Sequence, residues 1–136
     1  LKSRKGNELN ENPNASMCFH WKSLLRQIRI VGTLELVDDK VADNYYNSRE
    51  YESRIGAWAS KQSSILKSRN DLLNSLEDFR KKYKDKENVP RPKNWSGWSL
   101  KPLSIEFWLD GDNRIHERLK YILDKNGNWI KSLLSP

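Results

Sequence analysis

Between Trp108 and Tyr121 the chain reads WLDGDNRIHERLKY, in which Arg114, His116, Arg118 and Lys120 alternate with Ile115, Glu117, Leu119 and Tyr121. Residues two apart share a face of a strand, so the spacing predicts three fixed cations and a histidine along one side. Like charges stacked on one face repel, and no carboxylate in that row offsets them. A bound anion such as a phosphate would compensate the row; an ordinary solvated strand face is the other reading. Tyr45, Arg49 and Ser53 recur every four residues. On one continuous helix they would aim two hydroxyls and a guanidinium at a single oxyanion, although a core tyrosine beside a solvated arginine fits the same spacing.

Two further segments carry polar chemistry. Ser3-Arg4-Lys5-Gly6 sets two cations and a hydroxyl at a predicted helix start, where unpaired backbone N–H groups also favour an anion. Trp58 to Ser64, reading WASKQSS, offers neutral donors and acceptors that could recognise a heterocycle's edge or simply connect two elements. His20 has no nearby carboxylate or second histidine and is expected to be a half-buried strand residue. Two histidines, one cysteine and no clustered carboxylates give no metal-ligand pattern. Neither a hydrolase elbow, a phosphate loop nor a dinucleotide glycine fingerprint is present, so any demanding chemistry falls to a bound cofactor.

The elements that must hold these groups follow from periodicity. A short helix is predicted over Ser3–Glu11, ended by Asn12-Pro13, then a strand around Met17–Trp21 and a clearer one over Gln27–Val37. Gly32 interrupts the apolar row of the second strand and suggests a bulge. Asp39–Arg49 and Tyr51–Ser60 read as two helices. Ser68, with Asp71 three residues on, starts a third whose stripe is Leu72, Leu73, Leu76, Phe79 and Tyr83. Glu77–Lys81 and Asp78–Lys82 are expected as ion pairs on its wet side. Asp85–Asn94 is a proline-containing loop. Trp98–Leu109 reads as strand split at Pro102, with Ile105, Phe107 and Leu109 on the core face and Glu106 and Trp108 opposite. Two last strands, Arg114–Leu123 and Trp129–Leu134, join through Asn126-Gly127, a strong hairpin signal. The sum is an antiparallel sheet with inserted helices, an α+β or barrel-like domain.

Composition sets the frame. A chain of 136 residues with 36% hydrophobic and 32% charged residues is one domain's worth of sequence, with a modest core and a wet surface. No apolar run approaches a membrane span and no signal-peptide pattern opens the chain, so no membrane partner is expected. The lone Cys18 excludes a disulfide framework and favours a reducing cytoplasm. A net charge of +7 points to anionic partners, and six tryptophans suggest flat ligand walls or an interface. Leu1, in place of a methionine and next to a basic cluster, reads as the interior of a longer protein.

Taken in order, SRKGxEL at Ser3–Leu9, FxWxxLxRQIRIxG at Phe19–Gly32, IGAWASxQSS at Ile55–Ser64 and IEFWxxxxNRIHERLxY at Ile105–Tyr121 resemble the pyridoxamine 5'-phosphate oxidase family. The resemblance spans nearly all of the chain, as a single domain forming the C-terminal majority of an FMN-binding split β-barrel. It implies a homodimer with the active site at its interface. The implied activity is FMN-dependent oxidation of pyridoxamine or pyridoxine 5'-phosphate to pyridoxal 5'-phosphate, with O2 giving H2O2. By position, Arg4, Lys5, Gln27, Gln62, Ser63, Trp108 and Arg118 match flavin contacts. Tyr45, Arg49 and Ser53 match the residues that hold the substrate phosphate. Arg114 and His116 match the catalytic pair that contacts the substrate over the flavin. The family's first strands have no counterpart here, and its usual Arg-Leu-Ala-Pro ending reads Leu133-Leu134-Ser135-Pro136. Two alternatives follow: a truncated, non-catalytic flavin- or pyridoxal-phosphate-binding relative, and a basic nucleic-acid-binding module. The oxidase reading itself implies no nucleic-acid partner.

Overall fold

The computed structural model describes residues 1–136. Leu1–Asn12 with Leu36–Trp98 forms one compact unit, and Pro13–Glu35 with Ser99–Pro136 forms a second. No helix is long and apolar enough to cross a membrane.

The first unit is helical. Helix α1 (Arg4–Glu11) starts where the Ser3 hydroxyl accepts the Gly6 N–H at 3.1 Å, so one orphan donor of the first turn is satisfied. Helices α2 (Asp39–Asn47) and α3 (Tyr51–Ala59) follow, and α4 (Arg69–Lys82) is capped by Ser68, whose hydroxyl accepts the Asp71 N–H. Ala42, Tyr46, Ile55 and Val89 are buried. The Tyr46 hydroxyl donates to the Arg54 carbonyl at 3.0 Å, and burial pushes its phenol above the ordinary range. Arg54 in turn donates to the carbonyls of Lys86 and Glu87, tying the loop after α4 back to α3. Trp58 of α3 meets Phe79 of α4 and the following Tyr83, with ring centroids 5.7 and 5.3 Å away.

The wet side of α4 differs from expectation. Arg80, not the lysines, takes the carboxylates, reaching Glu52 at 2.7 Å and Glu77 at 3.4 Å. Its planar fork can bridge two helices. The Lys82 ammonium instead lies over the rings of Trp58, Phe79 and Tyr83.

Strands β1 (Asn14–Trp21), β2 (Arg26–Leu36), β3 (Trp98–Leu109), β4 (Glu117–Leu123) and β5 (Trp129–Leu134) form one antiparallel sheet in that order. Gly32 is not a bulge, since β1 and β2 pair without interruption through Ala15 opposite Gly32. Glycine is required there because the Lys101 carbonyl oxygen occupies the place of a Cβ. Pro102 does not split β3: its register with β4 begins only at Ser104 opposite Ile122, so the missing N–H removes no bond to that partner.

The inward face of β3 is also reversed. Glu106 is buried while Phe107 is 40% exposed. A buried carboxylate needs partners, and Arg118 supplies two hydrogen bonds to one of its oxygens, at 2.8 and 3.0 Å. At the β4–β5 turn Gly127 takes φ +82°, and the Asp124 carboxylate accepts the N–H groups of Asn126 and Asn128. Those bonds hold its carboxyl below the usual carboxylate range.

Candidate functional site

In the helical unit the chain turns sharply between α2 and α3, and the turn carries Arg49. One continuous helix through Tyr45, Arg49 and Ser53 therefore does not exist. Arg49 and Ser53 nonetheless meet at a cavity of about 690 Å³, whose wall includes Trp58, Lys61, Gln62 and Trp95. The Arg49 guanidinium lies over the Trp95 ring, 5.3 Å from its centroid. Its Nη1 is buried and has no hydrogen-bond partner. Arginine stays charged under all ordinary conditions, so a buried, unpaired N–H of this kind is suited to an anion. Tyr45 is 65% exposed and lies outside the cavity wall, its ring 5.9 Å from that of Trp95.

A network fixes the Trp95 side of the cavity. Arg91 donates to Asp39 and Asp43 of α2 and to the Trp95 carbonyl, which pins the proline-containing loop onto α2. Its hydrogen bonds to Asp43 and Asp39 raise the Arg91 pKa further. Ser3, the α1 cap, also lines the cavity. Its neighbour Arg4 points away into an exposed ion pair with Glu8 at 2.8 Å, and Lys5 is exposed. Gln62 faces the cavity, whereas Ser63, with φ +67°, is outside its wall.

In the sheet unit Trp108 and Arg118 are direct cross-strand neighbours, and half-buried Gln27 pairs with His20. His20 itself is exposed, because β1 lies at the edge of the sheet. The cationic row is not one strand face. Strand β4 begins at Glu117, and Arg114 belongs to a 3₁₀ turn over Asp112–Arg114. There Asn113 and Arg114 take φ values of +56° and +67°, a strained pair for residues with side chains. Glu106 also supplies the carboxylate that the row itself lacks: it binds Arg118 and stands 3.9 Å from Arg29. Arg118 further donates to the Ser135 carbonyl. The His116 ring sits 4.8 Å from that of Trp108.

A family model described as pyridoxamine 5'-phosphate oxidase matches residues 1–108. The chain belongs to the pyridoxamine 5'-phosphate oxidase family. A second model, described as the pyridoxine 5'-phosphate oxidase C-terminal dimerisation region, matches residues 95–136. A pyridoxine/pyridoxamine 5'-phosphate oxidase of Pelagibacter ubique is 68% identical over the whole chain, which spans 65% of that relative's length. One from Novosphingobium aromaticivorans is 48% identical, and the chain spans 66% of it. Among solved structures, PhzG from Burkholderia lata in complex with tetrahydrophenazine-1-carboxylic acid is 31% identical. It has a TM-score of 0.90, over 99% of this chain and 65% of PhzG. An FMN-binding protein from Nostoc punctiforme related to pyridoxamine 5'-phosphate oxidase shares the fold, with a TM-score of 0.74 and 17% identity, over 99% of this chain and 69% of its own. The fold is thus the split-barrel type that the resemblance implies.

Against the family's expected residues, the helical unit brings Arg49, Ser53 and Gln62 to one cavity and leaves Tyr45, Arg4 and Ser63 off its wall. The sheet unit brings Trp108, His116 and Arg118 together, with Arg114 exposed on the adjoining turn. Sequence reasoning missed Trp95, Glu106 and Arg91. A tryptophan in a proline-containing loop, and a lone glutamate on a strand otherwise rich in apolar residues, were the available signals for the first two.

Proposed function

We propose that this chain carries most of an FMN-dependent cytoplasmic oxidase that converts pyridoxamine or pyridoxine 5'-phosphate to pyridoxal 5'-phosphate, acting as a homodimer in vitamin B6 phosphate synthesis and salvage. The observation that carries the reading is Arg49: a permanently charged group with a buried, unpartnered Nη1 on a cavity wall beside the Ser53 residue of the phosphate triplet. A substrate phosphate satisfies that donor. Gln62 and the neutral groups around it suit the edge of a flavin ring, so the residues present fit FMN.

In this reading Arg4, Lys5, Gln27, Gln62, Ser63, Trp108 and Arg118 hold FMN, while Tyr45, Arg49 and Ser53 hold the substrate phosphate. When bound, FMN supplies the two-electron oxidation of the substrate's C4' carbon, and O2 carries the electrons away as H2O2. The chain's own task is orientation. Arg49 and Ser53 fix the phosphate end, so the ring is held at a defined distance from it. Arg114 and His116 touch the ring, Arg114 steadying charge that develops there.

A second reading, a flavin or B6-phosphate binder without turnover, is favoured by one observation. Arg4 and Arg118, both assigned to the cofactor, are already held by Glu8 and Glu106. Flavin absorbance of the purified chain, followed by a peroxide assay with pyridoxamine 5'-phosphate, separates the two. Flavin with peroxide supports the oxidase; flavin without peroxide supports the binder. Absence of flavin, with salt-dependent binding to DNA or RNA, would replace both with a nucleic-acid module.

A further inference from the structure

The turn between β3 and β4 holds a carboxylate that none of the assignments above uses. Asp110 Oδ1 lies 3.0 Å from His116 Nδ1. Three features of the turn create this proximity. The Asp110 N–H donates to the Leu25 carbonyl at 3.0 Å, which anchors the first residue after β3. Gly111 follows, and the Ile115 carbonyl oxygen occupies the place of a Cβ there, so only glycine lets the two ends of the turn close on each other. The Ile115 N–H then donates to the Asp112 carbonyl, completing the 3₁₀ turn that delivers His116 back beside Asp110.

The same Nδ1 also lies 3.3 Å from the Gly111 N–H, which donates to it. These two contacts exclude each other. A nitrogen that accepts the Gly111 N–H must be bare, whereas one bonded to a carboxylate must carry a proton. The turn therefore offers His116 two tautomers, and the closer, ionic partner is Asp110. A hydrogen bond to a charged acceptor is the stronger of the two. We propose that Asp110 is a positioning residue that holds His116 as the Nδ1–H tautomer. This leaves Nε2 unprotonated as a hydrogen-bond acceptor, with the ring steadied against Trp108.

The consequence deepens the functional reading and rests on it: an acceptor at Nε2 selects a substrate that offers an O–H or N–H at that point. The alternative tautomer would offer a donor and select a carbonyl or ring nitrogen instead. Asp110 would then decide which kind of polar group the site takes, without touching the substrate itself.

The chain contains two histidines, so the imidazole ¹⁵N signals of His116 can be assigned against a His20→Gln control. In the parent chain the expected pattern is a protonated Nδ1 and a bare Nε2. Asp110→Asn can donate its amide to a bare Nδ1, and Asp110→Ala leaves only the Gly111 N–H, so both should move the signals to the Nε2–H pattern. Asp110→Glu should retain part of the parent pattern. A parent chain already in the Nε2–H form, or variants with unchanged signals, would overturn the proposal, whatever the activity. In the FMN-loaded chain, Asp110→Asn should lower kcat/KM for pyridoxamine 5'-phosphate by at least about tenfold, the low end of the losses seen for partners that orient an imidazole, with flavin content retained. A tautomer change with unaltered turnover would leave Asp110 as the orienting group and instead overturn the assignment of His116 to the substrate.

Discussion

A guanidinium with a buried, unpartnered N–H is costly to keep unless an anion joins it, and Arg49 is in that position. Arg49→Ala should raise KM for the phosphorylated substrate with little change in kcat, by a charge-assisted contact of about 1.5–3 kcal/mol. Arg49→Lys should recover only part, because an ammonium lacks the planar fork and its seat on Trp95. Steady-state kinetics decides; an unchanged KM would remove Arg49 from the phosphate. Arg114 belongs to the other half of the chemistry. Held exposed on a strained turn, it should contribute mainly once the substrate is bound, so Arg114→Ala should lower kcat more than it weakens FMN binding. Flavin titration beside turnover measurements tests this, and equal turnover would end that role. The four-residue spacing of Tyr45, Arg49 and Ser53 pointed to a site whose wall holds two of the three, though by the wrong geometry. The helix breaks between them, and a turn, not a helix face, brings Arg49 to Ser53's cavity. Asp110 was not legible at all, since its nearness to His116 depends on a glycine-tight turn and not on strand or helix spacing.

Element boundaries were largely readable because caps and turn residues act locally: Ser3, Ser68 and Asn126-Gly127 each stand where the sequence placed them. Two misreadings within the sheet involve a partner strand. Gly32 looked like an interruption because the carbonyl that demands it belongs to Lys101, far away in sequence. Gly32→Ala should therefore cost about 1–3 kcal/mol through a forced backbone shift, read as a lower urea midpoint at constant m-value. Stability equal to the parent would show that β3 yields freely. Glu106 looked like the wet side of β3 because Arg118, which compensates it, comes from β4. The β4–β5 hairpin gives a pH-dependent case. Asp124 has its carboxyl held below the ordinary range by the N–H groups of Asn128 and Asn126, so its stabilisation is present above the unfolded carboxylate range. It is lost as pH falls through the depressed folded value. Asp124→Ala should thus destabilise the chain at neutral pH and make no difference in strong acid. Denaturation midpoints of both proteins across pH test this, and parallel curves at every pH would contradict it.

At the scale of the whole chain, apolar surface is unevenly spent. In the sheet unit Arg29 approaches Glu106, which places the odd-numbered residues of β2 with the even-numbered residues of β3. The opposite face then gathers Met17, Phe19 and Trp21 from β1, Phe107 from β3 and Leu133 from β5 through its register with Leu119. All five are at least 40% exposed, and Leu133 reaches 83%. Scattered apolar side chains on a surface need no explanation, but several on one sheet face, two of them stacked rings, mark a surface suited to burial. The proposed homodimer supplies a second copy of the same face, and a two-fold contact places each residue of the patch against the patch itself. A net charge of +7 opposes that approach at low ionic strength, so moderate salt should favour the dimer. Sedimentation across a concentration series should therefore show a monomer–dimer equilibrium that strengthens with salt. Phe19→Asp and Leu133→Asp, each placing a carboxylate in the patch, should shift it to monomer while the far-ultraviolet circular dichroism of the sheet is unchanged. Aspartate variants that pair as tightly as the parent would assign the dimer contact to another surface, and a parent chain that stays monomeric throughout would leave the oxidase reading without its second subunit.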